Sequence, residues 1–424
     1  MHDTHPHANA PTDIAVIGAG VVGLATAYAA TRRSLSVQIL DAGSGPAQGA
    51  SLANGAQLSY AYTDAMAGPS LWKQTPSLML GLDPVFRMRL MGNPAIWRWG
   101  LQLMANANMA SMHRNTLATL KLALESRDAM RALLSRHNID FSNRIAGKMH
   151  LYFTEKAAQA SASMIALKRP HGIVQELLDP VAAAEIEPAL ANIRGVAGVT
   201  YSPEEEIGDP HQFSVGLLDV LHREYDASAQ FNFDLKDIRH DGKSWLMLAH
   251  DGRTARARKV VICAGIGSAS IAKRVGIRIP LMAIKGYSFT APCGPLAPSV
   301  SITDTSRKLV FCRLGDRMRV AGLADVNDWN PNPNPDRFAQ LVALAQESMP
   351  DAVDYTRIEQ PWAGLRPATP CSVPTIFSPS EGLIFNVGHG MLGWTLAMGS
   401  GERAIALATE KQAVPWPSPS AIAG

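Results

Sequence analysis

Asp13-Ile14-Ala15-Val16-Ile17-Gly18-Ala19-Gly20-Val21-Val22-Gly23, an apolar helix-like run after it and a second apolar stretch ending at Asp41 decide the fold of this chain. Ile14 to Ile17 predict a buried strand, and three glycines spaced GxGxxG predict a tight turn into a helix. The first glycine permits the turn, the second lets backbone approach a pyrophosphate, and the third lets helix and strand pack closely. Phosphates would then meet the free N–H groups and positive end of the helix, beside Val22. Asp41, followed by Ala42, stands 18 residues after Gly23. There its carboxylate can accept from both hydroxyls of an adenosine ribose, which favours FAD or NAD over NADP. Strand, helix, spacing and terminal acid agree, so an ordinary glycine turn does not explain the segment. Ser34 stands where glycine would best supply a left-handed helix cap, at a cost of up to about 1 kcal/mol.

At 424 residues, against roughly 150 per domain, the chain should form two or three compact units. A net charge of +3 and a pI near 8.6, with Lys and Arg scattered among 36 acids, exclude the basic stripes that nucleic acid requires. Cys263, Cys293, Cys312 and Cys371 are widely spaced without CxxC, so neither a zinc site nor a disulfide framework is expected, and a reducing compartment fits best. Residues 1–12, with His2, His5 and His7, read as a disordered leader without the apolar core of a secretory signal, and residues 413–424, with three prolines, as a loose tail. No run of about 18 apolar residues is present to span a membrane.

Helix-like and strand-like segments alternate without an internal repeat, the pattern of a mixed α/β body. Between Pro76 and Arg114 lie six of the 17 methionines, with Trp97, Trp99, Arg87, Arg89 and Arg98. Two readings stand: a surface dipping into a bilayer interface, and helices packed over the active-site domain, favoured because methionine fills irregular cores. Asp209 and Pro210 mark a helix start. Phe231 to Leu235 resembles a strand, Asp241-Gly242 and Asp251-Gly252 are turns of a meander, and Lys259 to Gly265, through Ala264, is a buried strand. Such a strand, returning to the nucleotide sheet long after the first βαβ unit, argues for a flavoprotein. Asn330 to Asp336, alternating Asn and Pro, reads as a surface turn, with Asp336 capping the next helix.

Two later segments carry chemistry. In Trp362-Ala363-Gly364-Leu365-Arg366-Pro367-Ala368-Thr369-Pro370 an arginine is held between a glycine and a proline. Its planar guanidinium suits an amino-acid or keto-acid carboxylate, with a surface salt bridge as the equal alternative. In Asn386-Val387-Gly388-His389-Gly390-Met391-Leu392-Gly393-Trp394-Thr395 the glycines bare backbone amides at a helix start. A flavin pyrimidine edge placed there would be stabilised on reduction by the helix dipole. His389 is a candidate catalytic group, and packing beside the ring is an equally good account of it. No Ser-His-Asp set, paired carboxylates or metal cluster is visible.

These stretches, with Ser51 to Ser59 (SLANGAQLS), Gly208 to Phe213 (GDPHQF) and Lys285 to Ser288 (KGYS), resemble the small-subunit type of the FAD-dependent D-amino acid dehydrogenase family, within the glycine oxidase and D-amino acid oxidase superfamily. The resemblance covers nearly the whole chain between the tails. It implies an α/β fold: a Rossmann-like FAD-binding domain (13–60, 207–270, 361–412) interleaved with an α+β substrate domain (61–206, 271–360) on a mixed, largely antiparallel sheet. It matches Arg366 to the arginine that binds the substrate carboxylate and places Tyr287 beside the substrate, with Tyr62 a pocket residue on weaker grounds. Ser51, Asn54, Gly55 and Gln57 match the loop along the flavin, and Leu235 the backbone that meets adenine. Contacts from Gly18, Gly20, Gly23, Ala264, Gly265, Gly388, Gly390, Leu392, Gly393, Trp394 and Thr395 complete a non-covalent FAD site. Two departures stand out: Thr369-Pro370-Cys371-Ser372 where relatives usually read Thr-Pro-Asp-Gly, and Asn54-Gly55-Ala56 where many have Asn-Ala-Gly.

The resemblance implies oxidation of a D-amino acid by hydride transfer from Cα to flavin N5. Its products are a 2-oxo acid and ammonia, and the electrons pass to a respiratory quinone. Positioning is then the main source of rate. It further implies a cytoplasmic enzyme, with peripheral contact to the inner face of the membrane through 76–114 as an open possibility. Left open are a dehydrogenase of D-hydroxyproline, D-proline or another secondary amine, an oxidase that uses oxygen, and a flavin- or NAD-binding regulator without turnover.

Overall fold

The computed structural model describes residues 11–91, 93–359, 361–410, 413 and 415–417. His2, His5 and His7 lie outside these residues. The glycine-rich opening folds as strand Thr12–Ile17, helix Val21–Thr31 and strand Val37–Leu40. Thr12, assigned to the leader from the sequence, therefore belongs to the first strand. Thr12–Ile17 lies between Val37–Leu40 and Thr254–Ile262, parallel to both. Ser228–Gln230 extends this parallel core on one side and Leu383–Val387 on the other. An antiparallel meander, Leu235–His240 and Trp245–Ala249, continues from the front half of Thr254–Ile262. Its turns fall at the expected Asp-Gly pairs, where Gly242 and Gly252 have φ of 93° and 89°.

Period-two alternation buries both faces of the parallel core. Ile14 and Val16 join one hydrophobic cluster, with the helices Val21–Thr31, Pro210–Tyr225 and Gly393–Thr409; Ala15 and Ile17 join another beneath the meander. The Val21 and Gly393 helices touch backbone to backbone, because a Cβ on Gly401 would come within 2.9 Å of the Ala25 carbonyl.

A second sheet of nine described strands takes in Trp362–Ala368, Met282–Pro292, Arg317–Val326, Leu309–Leu314, Ser301–Asp304 and Lys148–Tyr152 in that spatial order. It is mixed and largely antiparallel: Ser301–Asp304 is parallel to Lys148–Tyr152, Phe86–Met88 is parallel to Arg317–Val326, and its other described pairings are antiparallel. The chain passes between the two sheets several times. The Trp362 strand, grouped from the sequence with the nucleotide-binding segments, pairs instead with Met282–Pro292 at the edge of the second sheet.

Other expectations shift. Phe231 to Asp234 is not a strand: Asn232 takes φ 55°, and the N–H groups of Asn232 and Phe233 donate to the carbonyls of Gly43 and Asp41, which breaks the ladder between Gln230 and Leu235. Helix Pro335–Ser348 is capped by Asn334, whose side chain accepts from Arg337 N–H, with Pro335 at the first helical position and Asp336 inside the first turn. In the expected tail, Trp416 exchanges backbone hydrogen bonds with Ile376 and lies 4.0 Å under the Arg403 guanidinium.

The methionine-rich segment is partly packed and partly exposed. Ile96, Trp99 and Leu103 of helix Ala95–Ala105 are buried against Met282, Ile284 and Val326, and Trp99 Nε1 donates to Ala368 O at 3.0 Å. Leu80, Leu82, Met91 and Leu101 are at least 70% exposed, and Trp72 and Trp97 more than half exposed. No described helix is long and apolar enough to cross a membrane.

Candidate active site

A cavity of about 700 Å³ is lined from both sheets. At one end the three opening glycines divide the work anticipated for them. Gly18 has φ 110°, and a Cβ there would lie 2.5 Å from Cys263 O; a Cβ on Gly23 would lie 1.7 Å from Gly18 O. Gly23 is thus a packing glycine and is off the cavity wall, whereas Gly20 faces the cavity, where a Cβ would meet only Ser51 Oγ, at 3.6 Å. No side chain caps the Val21 helix, apart from Ser51 Oγ, which accepts from Val21 N–H at 3.3 Å. Asp41 is anchored by Ala19 N–H at 2.5 Å and Gly43 N–H at 2.7 Å, one to each oxygen, and lines the cavity. Each oxygen keeps acceptor capacity for a ribose hydroxyl. Leu235 also lines the cavity, but its carbonyl is taken by Arg274.

The opposite end is built on the Met282 and Trp362 strands. Arg366 pairs with Ile284, and Gly286 with Gly364, so these residues share the face that looks into the cavity. The guanidinium lies over Gly286, where a Cβ would come within 2.2 Å of Nη2, and its Nη1 donates to Leu323 O at 3.3 Å. Burial, with no compensating carboxylate among the described residues, pushes the Arg366 pKa down to about 10. The group remains cationic at neutral pH, with most of its donors unspent. Trp362 lies over Gly364, whose Cβ would fall 2.2 Å from the indole Cη2. Pro331, Pro333 and Pro361 complete an apolar wall, so the Asn-Pro segment read as a plain surface turn contributes to the cavity.

His389 is buried on this wall, and desolvation lowers its pKa to about 3, so it is neutral in ordinary buffers. Val22, Ala42, Asn54, Gly55, Ala264, Gly265, Gly388, Gly390, Gly393 and Trp394 are on the wall. Ala56 carries φ 57° in the exchanged Asn-Gly-Ala turn, held by Asn54 Oδ1 accepting its N–H at 2.9 Å.

Five expected residues are off the wall or turned from it, besides Gly23. A one-turn 3-10 segment, Gly390–Leu392, delays the helix to Gly393; this turns Leu392 toward the core and leaves Thr395 accepting from Ser59 N–H. The Gln57 amide bonds Ser301 and Lys148. The Tyr62 ring lies tilted against His150 with centroids 4.5 Å apart, under the Lys148 ammonium at 4.3 Å and off the cavity wall. The Tyr287 backbone borders the cavity, but alternation along the strand sends its ring with Lys285 and Phe289 to the face covered by helix Pro335–Ser348, and its hydroxyl donates to Asp325 Oδ2 at 2.8 Å. Arg274, Gln48 and Trp362 were missed as wall residues; only Trp362 stood inside a stretch marked as chemical.

The unclaimed groups along this wall suit a flavin nucleotide. Among the described residues, His389 Nε2 and Asn386 Oδ1 are buried without a partner, and a Cβ on Gly265 or Gly390 would meet no atom within 4 Å. Residues 13–407 match the family described as DAO, FAD dependent oxidoreductase. The chain belongs to this family. It is 37% identical over 401 residues to D-amino acid dehydrogenase 2 of Ralstonia nicotianae, covering 91% of this chain and 94% of the relative. To the D-amino acid dehydrogenase of Paramagnetospirillum magneticum it is 36% identical over 397 residues, covering 92% and 93%. Among solved structures, glycine oxidase from Geobacillus kaustophilus superposes with a TM-score of 0.74 at 20% identity, over 94% of each chain, a likeness of fold. Like the family, the protein is an FAD-dependent oxidoreductase. Gly18, Gly20 and Asp41 would hold the dinucleotide end, and the Gly388–Trp394 turn the flavin end.

Proposed function

We propose that the protein is a D-amino acid dehydrogenase. The observation that carries this reading is an arginine with no carboxylate partner among the described residues, Arg366, laid on a bare glycine at the apolar end of an FAD cleft. In this reading the first sheet with its helices binds FAD and the second supports the substrate. Arg366 takes the substrate carboxylate in a forked pair of charge-assisted hydrogen bonds. Trp362, Met391 and the three prolines line the end of the cleft that receives the side chain, offering no counter-ion to a charged one. The acids on the wall, Asp41 and Asp234, belong to the dinucleotide end, and His389 is too weak a base to hold a proton at neutral pH. The amine therefore enters neutral, its proton left with solvent, and the chain contributes positioning. FAD, bound non-covalently, supplies the two-electron acceptor for the Cα hydride. Cys371, whose thiol is buried against Thr369 and Val373, is off the cavity wall. The resulting imine hydrolyses to a 2-oxo acid and ammonia.

A respiratory quinone is the proposed electron acceptor. The exposed apolar residues Leu80, Leu82, Met91, Trp97 and Leu101, with Arg87 and Arg98 in the same segment, support peripheral contact with the cytoplasmic side of a membrane. The test is turnover of D-alanine and D-methionine with a quinone analogue or dye against oxygen. Reduction of the dye with negligible peroxide supports the reading, and peroxide at the same rate rejects the dehydrogenase assignment. Co-flotation with anionic vesicles, lost in a Leu80→Ser, Leu82→Ser, Met91→Ser variant, tests the membrane face.

A further inference from the structure

The Met282 and Arg317 strands fall out of register beside the cavity. Lys285 pairs with Asp325 and Tyr287 with Gly322, so Gly286 alone faces the two residues Leu323 and Ala324. This is a β-bulge, the device that re-aims a group next to a site. Leu323 at its crest takes the left-handed φ of 58°, and its carbonyl accepts the hydrogen bond from Arg366. Such a conformation is unfavourable for leucine and persists only where the surroundings over-determine it.

What over-determines it lies on the far side of the sheet. Tyr287 Oη donates to Asp325 Oδ2 at 2.8 Å, spanning the bulge diagonally from the residue opposite its start to the residue at its end. Arg337, 1% exposed, grips the other oxygen of Asp325 through Nε at 2.9 Å and Nη2 at 2.7 Å. The same Nη2 donates to Val85 O at 2.7 Å, and Val85 O also accepts Ala324 N–H from inside the bulge. Three buried side chains and one carbonyl thus close on two irregular residues, and nothing in the proposed reaction uses them.

We propose that Tyr287, Asp325 and Arg337 are positioning residues. They clamp the Leu323–Ala324 bulge so that the Leu323 carbonyl holds the Arg366 fork at the pitch a substrate carboxylate requires. The inference rests on Arg366 as the carboxylate site, and it gives Tyr287 an indirect role with its hydroxyl turned away from substrate. The Tyr287 hydroxyl donates to one oxygen of Asp325 and Arg337 holds the other, so the tyrosine hydroxyl is committed to the clamp.

The test uses FAD-loaded wild type, Tyr287→Phe, Asp325→Asn, the double variant and Arg366→Ala. Benzoate, a carboxylate that cannot be oxidised, is titrated by the perturbation of the flavin spectrum, and D-alanine kinetics are measured with a dye. Tyr287→Phe and Asp325→Asn should each raise the benzoate Kd and the D-alanine KM by roughly 3- to 10-fold, the scale of one net hydrogen bond. Less than twofold change in kcat and unaltered FAD content should accompany this, and the double variant should be no worse than the worse single. A lower melting temperature with wild-type Kd and KM would make the trio merely structural and overturn the proposal. So would a raised Kd in Tyr287→Phe with Asp325→Asn at the wild-type value, because the tyrosine would then touch substrate itself. An unchanged benzoate Kd in Arg366→Ala overturns instead the carboxylate reading beneath it.

Discussion

The guanidinium of Arg366 rests on the backbone of Gly286, so closely that a Cβ at residue 286 would stand 2.2 Å from Nη2 and 2.3 Å from Cζ. One hydrogen atom in place of a methyl group decides where the fork points. Gly286→Ala should lift the fork by about an ångström and lower kcat/KM for D-alanine by about 100-fold. FAD content should stay near one per chain. Steady-state kinetics with matched flavin absorbance check this.

Gly364 stands in the same relation to Trp362. Gly364→Ala must displace the indole, whose Cη2 and Cζ2 would lie 2.2 and 2.5 Å from the new methyl group. The expected outcome is a change of substrate range: kcat/KM for D-methionine and D-phenylalanine falls more than for D-alanine, because only the larger side chains reach the wall that moves. A panel of D-amino acids measures it, and an equal loss for every substrate contradicts it.

Desolvation of His389 makes a prediction about acid. Its folded pKa is depressed from 6.5 to about 3, so between these values the unfolded chain binds the extra proton and stability rises with pH. The contribution is fully present above about pH 6.5 and is lost as pH falls toward 3, on the order of 5 kcal/mol in all. Glu205 opposes it over part of the range: burial raises its pKa to about 7, which favours the folded state as pH falls from there. Urea unfolding of wild type and His389→Asn across pH 4 to 8 separates the two, with the variant expected to lose less stability on acidification.

Ser34 sits at φ 57°, with Leu35 N–H returning to Ala30 O, the closing pattern of a helix end that favours glycine. Ser34→Gly should therefore stabilise the fold by about 0.5 kcal/mol, relief of strain outweighing the added freedom of the unfolded chain. A urea midpoint at or below the wild-type value contradicts this.

Much of this was legible in the sequence because local chemistry dictated it. The Gly18-x-Gly20-x-x-Gly23 turn, Asp41, the Asp209 cap and the strain at Ser34 each follow from a residue type meeting a backbone requirement within a few positions. What was not legible depended on register between distant strands. Nothing near Tyr287 in sequence says that its ring faces helix Pro335–Ser348, since a one-residue change of strand phase would bring it into the cavity. Gln57 and Thr395 are likewise claimed by Ser301, Lys148 and Ser59, partners that only the tertiary fold supplies. Asp336 lost the helix cap to Asn334 because Pro335, with its preset φ and no N–H to satisfy, opens the helix and puts the cap one residue before it.

Anaerobic titration of the purified holoenzyme tests the central claim most directly. D-alanine should bleach the flavin bands in proportion to the amount added, L-alanine should leave them unchanged, and Arg366→Ala should need far more D-alanine for the same bleaching, with kcat/KM lower by about 2 to 5 kcal/mol. Flavin bands that no D-amino acid bleaches, or an Arg366→Ala variant that responds as wild type does, would contradict the account.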